Sequence, residues 1–240
     1  MGSSETSGPG CSSAGISSDG HSDPVEREGL PAAIRRLARE RDVDLGVAPG
    51  PSEGGMESSR SAEFTSPRGP MRVNVGLGER RFSIALDSAQ GNYVWASGST
   101  PELPEVVRLL DAWRQGVKLK ELTDRFPFME FQRLSQGYED GNPVETQWDI
   151  VINDDAFREY GDLLEALHSD PRLRETFPFF SHWTLRMAKD CYRPEAGEIL
   201  IQPRPDGSYR LWSSADSEEK TEFRRVDDLI RAAVSLLDGL

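Results

Sequence analysis

Two cysteines and three histidines in 240 residues leave little material for thiol or metal chemistry. Cys11 falls in a Ser/Gly-rich beginning and Cys191 far along the chain, which is a poor basis for a disulfide framework. No Cys/His spacing matches a zinc site, so no metal is assigned. Long apolar runs are missing, so a membrane span is not expected. The first residues show no basic start, apolar run and cleavage site in series, and the expectation is a cytoplasmic, reducing location. No Gly-rich phosphate loop, nucleophile elbow or His-Glu-x-x-His motif occurs; Gly76-Leu77-Gly78 stands alone. Cations are scarce as well. The net charge is −13, and residues 71–240 hold 30 acidic against 21 basic side chains. Such a charge disfavours nucleic acid and anionic membrane as partners. Lys118, Lys120 and Arg125 on one predicted helix point the other way.

What is present divides by texture. Residues 1–29 are about half Gly, Ser and Pro and cannot bury enough apolar surface to offset ordering, so a disordered tail is expected. Leu30–Arg41 has helical periodicity with Pro31 in its first turn, and 43–47 is a candidate strand. Residues 48–70, rich in Gly, Ser, Pro and Glu, read as a linker. From 71 to 240 a single α+β domain is expected: antiparallel meanders at both ends, a helical middle and a closing amphipathic helix.

The first meander is predicted as three strands, 72–77, 81–87 and 92–97, turned at Gly78-Glu79 and Gln90-Gly91-Asn92. Ser99-Thr100-Pro101 reads as a helix start. Leu103 to Trp113 recurs at helical spacing, and 118–126 forms a second helix. Asn142-Pro143 predicts a further start, with 143–152 leaning to helix over strand; 154–168 is predicted as a helix burying Phe157, Tyr160, Leu164 and Leu167. A short helix from Asp170 to Phe177 should then break at Pro178. Ser181–Lys189 is predicted as a strand, with Trp183, Leu185 and Met187 on one face and His182, Thr184 and Arg186 on the other. A hairpin through Pro205-Asp206-Gly207 and a helix over 222–237 complete the chain.

Two internal echoes stand out. Leu122-x-x-x-Phe126-Pro127-Phe128 matches Leu173-x-x-x-Phe177-Pro178-Phe179; in each, Leu and the first Phe are one helical turn apart and Pro forbids continuation. A strand–strand–helix order occurs at 81–115 and again at 198–237, a candidate duplication.

Ala96-Ser-Gly-Ser-Thr-Pro101, Trp113-Arg-Gln-Gly116, Arg125-Phe-Pro-Phe128 and the run from Asp170 through Phe179 to Arg186 together resemble an actinobacterial family of unknown function, loosely labelled natural product biosynthesis proteins. The resemblance spans about residues 71–240. It implies a place in such a pathway and supplies no catalytic residues.

Candidate site residues follow from chemistry. His182, Thr184 and Arg186 on one strand face would suit a carboxylate or phosphate. Glu130 belongs to a carboxylate-rich middle that also holds Asp140, Glu145 and Asp149. No cofactor or oligomeric state is assigned. The expected function is non-catalytic binding of a peptide, carrier or enzyme partner; three strands followed by helices is also the layout of small winged-helix modules that bind leader peptides. The alternatives are an immunity or antitoxin-like protein that neutralises a basic toxin, and an enzyme with a pocket near His182 and Arg186.

Overall fold

The computed structural model describes residues 24–46, 59–76, 81–91, 93–216 and 219–240. In chain order these form α1 (Pro24–Glu28), α2 (Leu30–Glu40), β1 (Ser61–Ser66), β2 (Gly69–Val75), β3 (Phe82–Asp87), β4 (Val94–Thr100), α3 (Leu103–Arg114), α4 (Leu119–Arg125), β5 (Met129–Glu130), α5 (Arg133–Asp140), α6 (Pro143–Asn153), α7 (Gly161–Ser169), β6 (Phe177–Ser181), β7 (Thr184–Ala188), β8 (Glu198–Pro203), β9 (Tyr209–Ser213), β10 (Thr221–Phe223) and α8 (Val226–Gly239). The fold is α+β, with two five-stranded antiparallel sheets in orders β1-β2-β3-β4-β5 and β10-β9-β8-β7-β6.

In the first sheet, alternation sends Phe64, Met71, Val73, Phe82, Ile84 and Leu86 to one face, where they are buried. There they join α2 and α3 in one core. The opposite face is polar. A bulge at Leu86/Asp87 interrupts the expected alternation of β4, so Trp95 and Ala96 are both buried and Val94 is exposed. Gly98 of β4 faces the return of the chain; a Cβ there would collide with the carbonyl oxygen of Phe128, so only glycine lets β5 pair at Met129 and Glu130. The second sheet packs Leu185, Met187, Ile199, Ile201 and Leu211 against α6, α7 and α8 in a second core.

The structure departs from the sequence expectation in several places, each for a local reason. The predicted linker contains β1, because Ala62 and Phe64 alternate into the core and Pro67-Arg68 turns the chain tightly into β2. Residues 24–28 of the predicted tail are helical, broken from α2 at Gly29 with φ 80°. Residues 43–46 form no strand, although Leu45 is buried. Residues 1–23, the Gly78-Glu79 turn and 47–58 lie outside the described residues. Thr100 ends a strand rather than capping a helix; Pro104, not Pro101, occupies the first turn of α3. The predicted 154–168 helix is a 3₁₀ stretch over Asp155–Tyr160 followed by α7, and Phe157 and Tyr160 are only half-buried. Residues 222 and 223 of the predicted closing helix belong instead to β10. Residues 143–153 are helical, as the balance of signals favoured.

The Leu-x-x-x-Phe-Pro-Phe echo acquires a structural meaning. Each copy leads from a helical turn into an edge strand: α4 into β5 at the edge of the first sheet, and the 3₁₀ turn Leu173–Glu175 into β6 at the edge of the second. In the second copy Pro178 therefore sits inside a strand and does not halt a helix at Phe177. Proline is tolerated there because an edge strand leaves alternate N–H groups unused. Its carbonyl accepts from Gln147 Nε2 of α6 at 2.9 Å, which further blunts the edge.

Candidate functional site

The hairpin joining β6 to β7 does not continue the strand through His182 and Trp183. Ser181 pairs with Thr184, and His182 and Trp183 are the two turn residues, with φ of 50° and 61°. Two positive φ values in a two-residue loop are the type I′ pattern, which glycine and asparagine adopt cheaply and other L-residues do not. Asp42 is the only other non-glycine residue with positive φ among the described residues. Trp183 is 66% exposed. The base of the hairpin is held firmly: Phe180 stacks on Phe157 at 4.0 Å and on Tyr160 at 5.5 Å. His182 Nδ1 lies 3.2 Å from Ser181 Oγ.

This geometry corrects the predicted site. His182 does not share a strand face with Thr184 and Arg186; it projects at the tip. Trp183 is not a core residue beside Leu185 and Met187. Thr184 and Arg186 do share the outer face of β7. The Arg186 guanidinium, however, is committed: Nε and Nη2 both bind Glu198 Oε2, with Nε at 2.6 Å, and its ring-side contact is Phe179 at 5.3 Å. An anion-binding trio at His182, Thr184 and Arg186 is not assembled. In the two Leu-x-x-x-Phe-Pro-Phe copies, Leu122, Phe126, Leu173 and Pro178 are buried, Phe128, Phe177 and Phe179 half-buried, and Pro127 exposed.

Glu130 lies elsewhere, on the two-residue strand β5 opposite Ser97. It borders an open cleft of about 430 Å³ between β4 and the start of α5. Ser135 Oγ of α5 donates to the Val94 carbonyl at 2.9 Å and closes the far end. Tyr93 and Trp95 also line the cleft; Tyr93 stacks on Tyr138 at 3.8 Å and meets Trp95 edge-on at 4.8 Å, and Tyr138 in turn touches Phe177 and Tyr192 of the second sheet's strands and loops. This aromatic seam joins the two sheets around Cys191, whose thiol hydrogen-bonds Tyr138 and is pushed up by burial and by Asp190. Burial raises the Tyr138 and Tyr192 hydroxyls and takes Tyr93 up to about 12. A hydroxyl whose folded value exceeds its unfolded value of about 10 stabilises the fold below pH 10 and loses that contribution as pH rises toward the folded value. Alkaline titration followed by tyrosinate absorbance should show these tyrosines ionising late, with stability falling from pH 10 to about 12; tyrosines that all titrate near pH 10 in the folded protein would contradict the buried seam.

Among the described residues no group of three or more His, Cys, Asp and Glu is arranged to hold a metal ion, and no helix is long and apolar enough to cross a membrane. Sequence reasoning missed Trp183 as an exposed residue and missed the cleft that Glu130 borders. No curated protein and no solved structure matches the chain. Residues 142–238, from the entry to α6 through α8 and including the strained hairpin, match DUF6193, a family of unknown function.

Proposed function

We propose that the protein is a non-catalytic binding protein of a bacterial natural product pathway, and that Trp183 at the β6–β7 tip is its anchor for a peptide, carrier or enzyme partner. The observation that carries this reading is the strain of the turn. Placing His and Trp at two left-handed positions costs roughly 1–2 kcal/mol per residue. A turn that only had to connect two strands would be better served by Asn-Gly. Strain kept at a tip that displays a large aromatic side chain to solvent is the pattern of a retained contact. Tryptophan is also among the residue types that dominate interface energetics. The pathway assignment draws on the sequence resemblance across 71–240.

The double substitution His182→Asn with Trp183→Gly separates the two effects. It is expected to stabilise the fold by about 1–3 kcal/mol, each kcal/mol raising the melting temperature by about 2–4 °C, while abolishing binding to the precursor peptide or carrier protein of the same pathway. Melting curves and titration calorimetry measure the two halves. A variant that binds as tightly as the parent removes Trp183 as the anchor.

A further inference from the structure

The cleft beside β4 lies apart from the β6–β7 hairpin in the chain and is lined by different residues. Three large hydrophobic side chains are exposed among the described residues: Trp183 at the tip, Tyr192 in the aromatic seam, and Val94 in this cleft. The cleft exists because β5 is so short. It pairs with β4 only at Ser97 and Gly98, after which the chain leaves the sheet and returns at Ser135 as part of α5. The space opened between is walled by Val94, Ala96, Phe131 and Leu134 and is about 430 Å³, larger than one side chain requires and within the range of ligand-binding clefts.

Among the described residues Glu130 is the one charged residue that lines it. It is exposed, and among the described residues its carboxylate makes no ion pair and no side-chain hydrogen bond. The nearby Arg133 points its charge away, to Asp149. A lone carboxylate beside the apolar side chains of Val94, Phe131 and Leu134, in a cleft whose other lining residues include Ser97 and Gln132, favours a ligand with a cationic end on an apolar stem and repels anions. The Val94 carbonyl is already taken by Ser135, so the cleft does not offer a plain strand edge, and recognition falls to a side chain. We infer that the cleft between β4 and α5 receives a basic side chain, arginine or lysine, of a peptide segment, with Glu130 pairing its charge and Phe131 and Leu134 packing on its stem. A peptide source is favoured over a free amine because the cleft is open to solvent and not an enclosed cavity, so a side chain can enter it while its own backbone stays outside.

The test is an amide NMR titration of the full chain with the blocked tripeptide N-acetyl-Gly-Arg-Gly-amide, its Leu and Glu counterparts, and agmatine as a free alkylguanidinium. The expected result is saturable shifts at Ser97, Glu130 and Leu134 with the arginine tripeptide, none with the Glu tripeptide, and weaker binding of the Leu tripeptide and of agmatine. Glu130→Gln, an exposed substitution that should leave the melting temperature unchanged, is expected to weaken the arginine tripeptide about fivefold. An arginine tripeptide that leaves the cleft amides unshifted, or that binds Glu130→Gln and the parent alike, overturns the inference. Agmatine binding as tightly as the tripeptide overturns the peptide source. None of these outcomes bears on Trp183, which is tested by its own variant.

Discussion

Arg68→Ala is expected to remove about 3–5 kcal/mol of folding stability, the scale of leaving one member of a buried ion pair without its partner. Arg68 lies in the two-residue turn between β1 and β2 and reaches into the body of the protein. Its guanidinium lies 4.0 Å from the ring centre of Trp113 and 4.7 Å from that of Trp95, donates from Nη1 to the Val117 carbonyl at 3.1 Å, and ion-pairs through Nη2 with Glu139. The Glu139 side chain is 5% exposed and also accepts the Leu119 N–H at the start of α4, at 3.1 Å to each oxygen. One planar cation thus ties a hairpin turn, the α3–α4 connection and α5 together. Removing it leaves a carboxylate in the interior and two indole faces without their neighbour. Lysine should not restore the loss, since a point charge with no planar face replaces neither the stacking nor the forked donors. Pairing Arg68→Ala with Glu139→Gln should cost less than the sum of the single changes, because the second change removes the charge that the first one stranded. Urea unfolding of the four proteins measures the coupling; an Arg68→Ala loss below about 1 kcal/mol would place the pair among ordinary surface ion pairs.

Arg68 also marks the limit of what could be read from the chain. The partners of its guanidinium are 27 to 71 positions away, and its own neighbourhood has the Ser, Pro and Gly texture of a linker. Period-two alternation exposed β2, β3 and the β8–β9 hairpin because several large apolar residues repeat there. β1 carries just Ala62 and Phe64, too few to stand out. The apolar stripes of α3, α4 and α8 are legible in the sequence, and the start of α4 falls within one residue of the expected 118, whereas the true starts of α3 and α8 are not legible, since no side-chain cap marks them. The His182-Trp183 turn was hidden for the opposite reason: it lacks the glycine and asparagine that announce a type I′ loop, and Trp183 continues the apolar alternation of Leu185 and Met187. The local rule fails at the place where the strain is stored, which is where a departure from good turn chemistry is most informative. Glu130 is one of a crowd of carboxylates in the sequence; that it borders a cleft follows from the brevity of β5, which no composition reveals.

Trp148→Ala is the second substitution expected to cost about 3–5 kcal/mol, the range for deleting a large aromatic side chain from a core. Trp148 is 1% exposed in α6, its ring centre 5.1 Å from that of His168, and its Nε1 donates to the Thr176 carbonyl at 3.0 Å. Beside it Gln147 holds the Pro178 carbonyl. Two consecutive residues of one helix therefore bind the outer side of the segment entering β6, the strand that leads to the Trp183 tip. Truncation would leave a cavity and an unpaired buried carbonyl together, and both would fall on this edge. Trp148→Phe keeps much of the volume but loses the N–H and part of the second ring, so its cost should be smaller, about 1–3 kcal/mol, most of it the penalty of an orphaned acceptor. Hydrogen exchange locates the damage: amides of β6 and β7 should lose protection in Trp148→Ala well before those of the first sheet, whose core is separate. If the hairpin is the partner anchor, the same variant should weaken binding without touching Trp183, since a tip on a loosened strand must be ordered again at each encounter. Uniform loss of protection across both sheets would instead mean that α6 supports the whole molecule and not this edge.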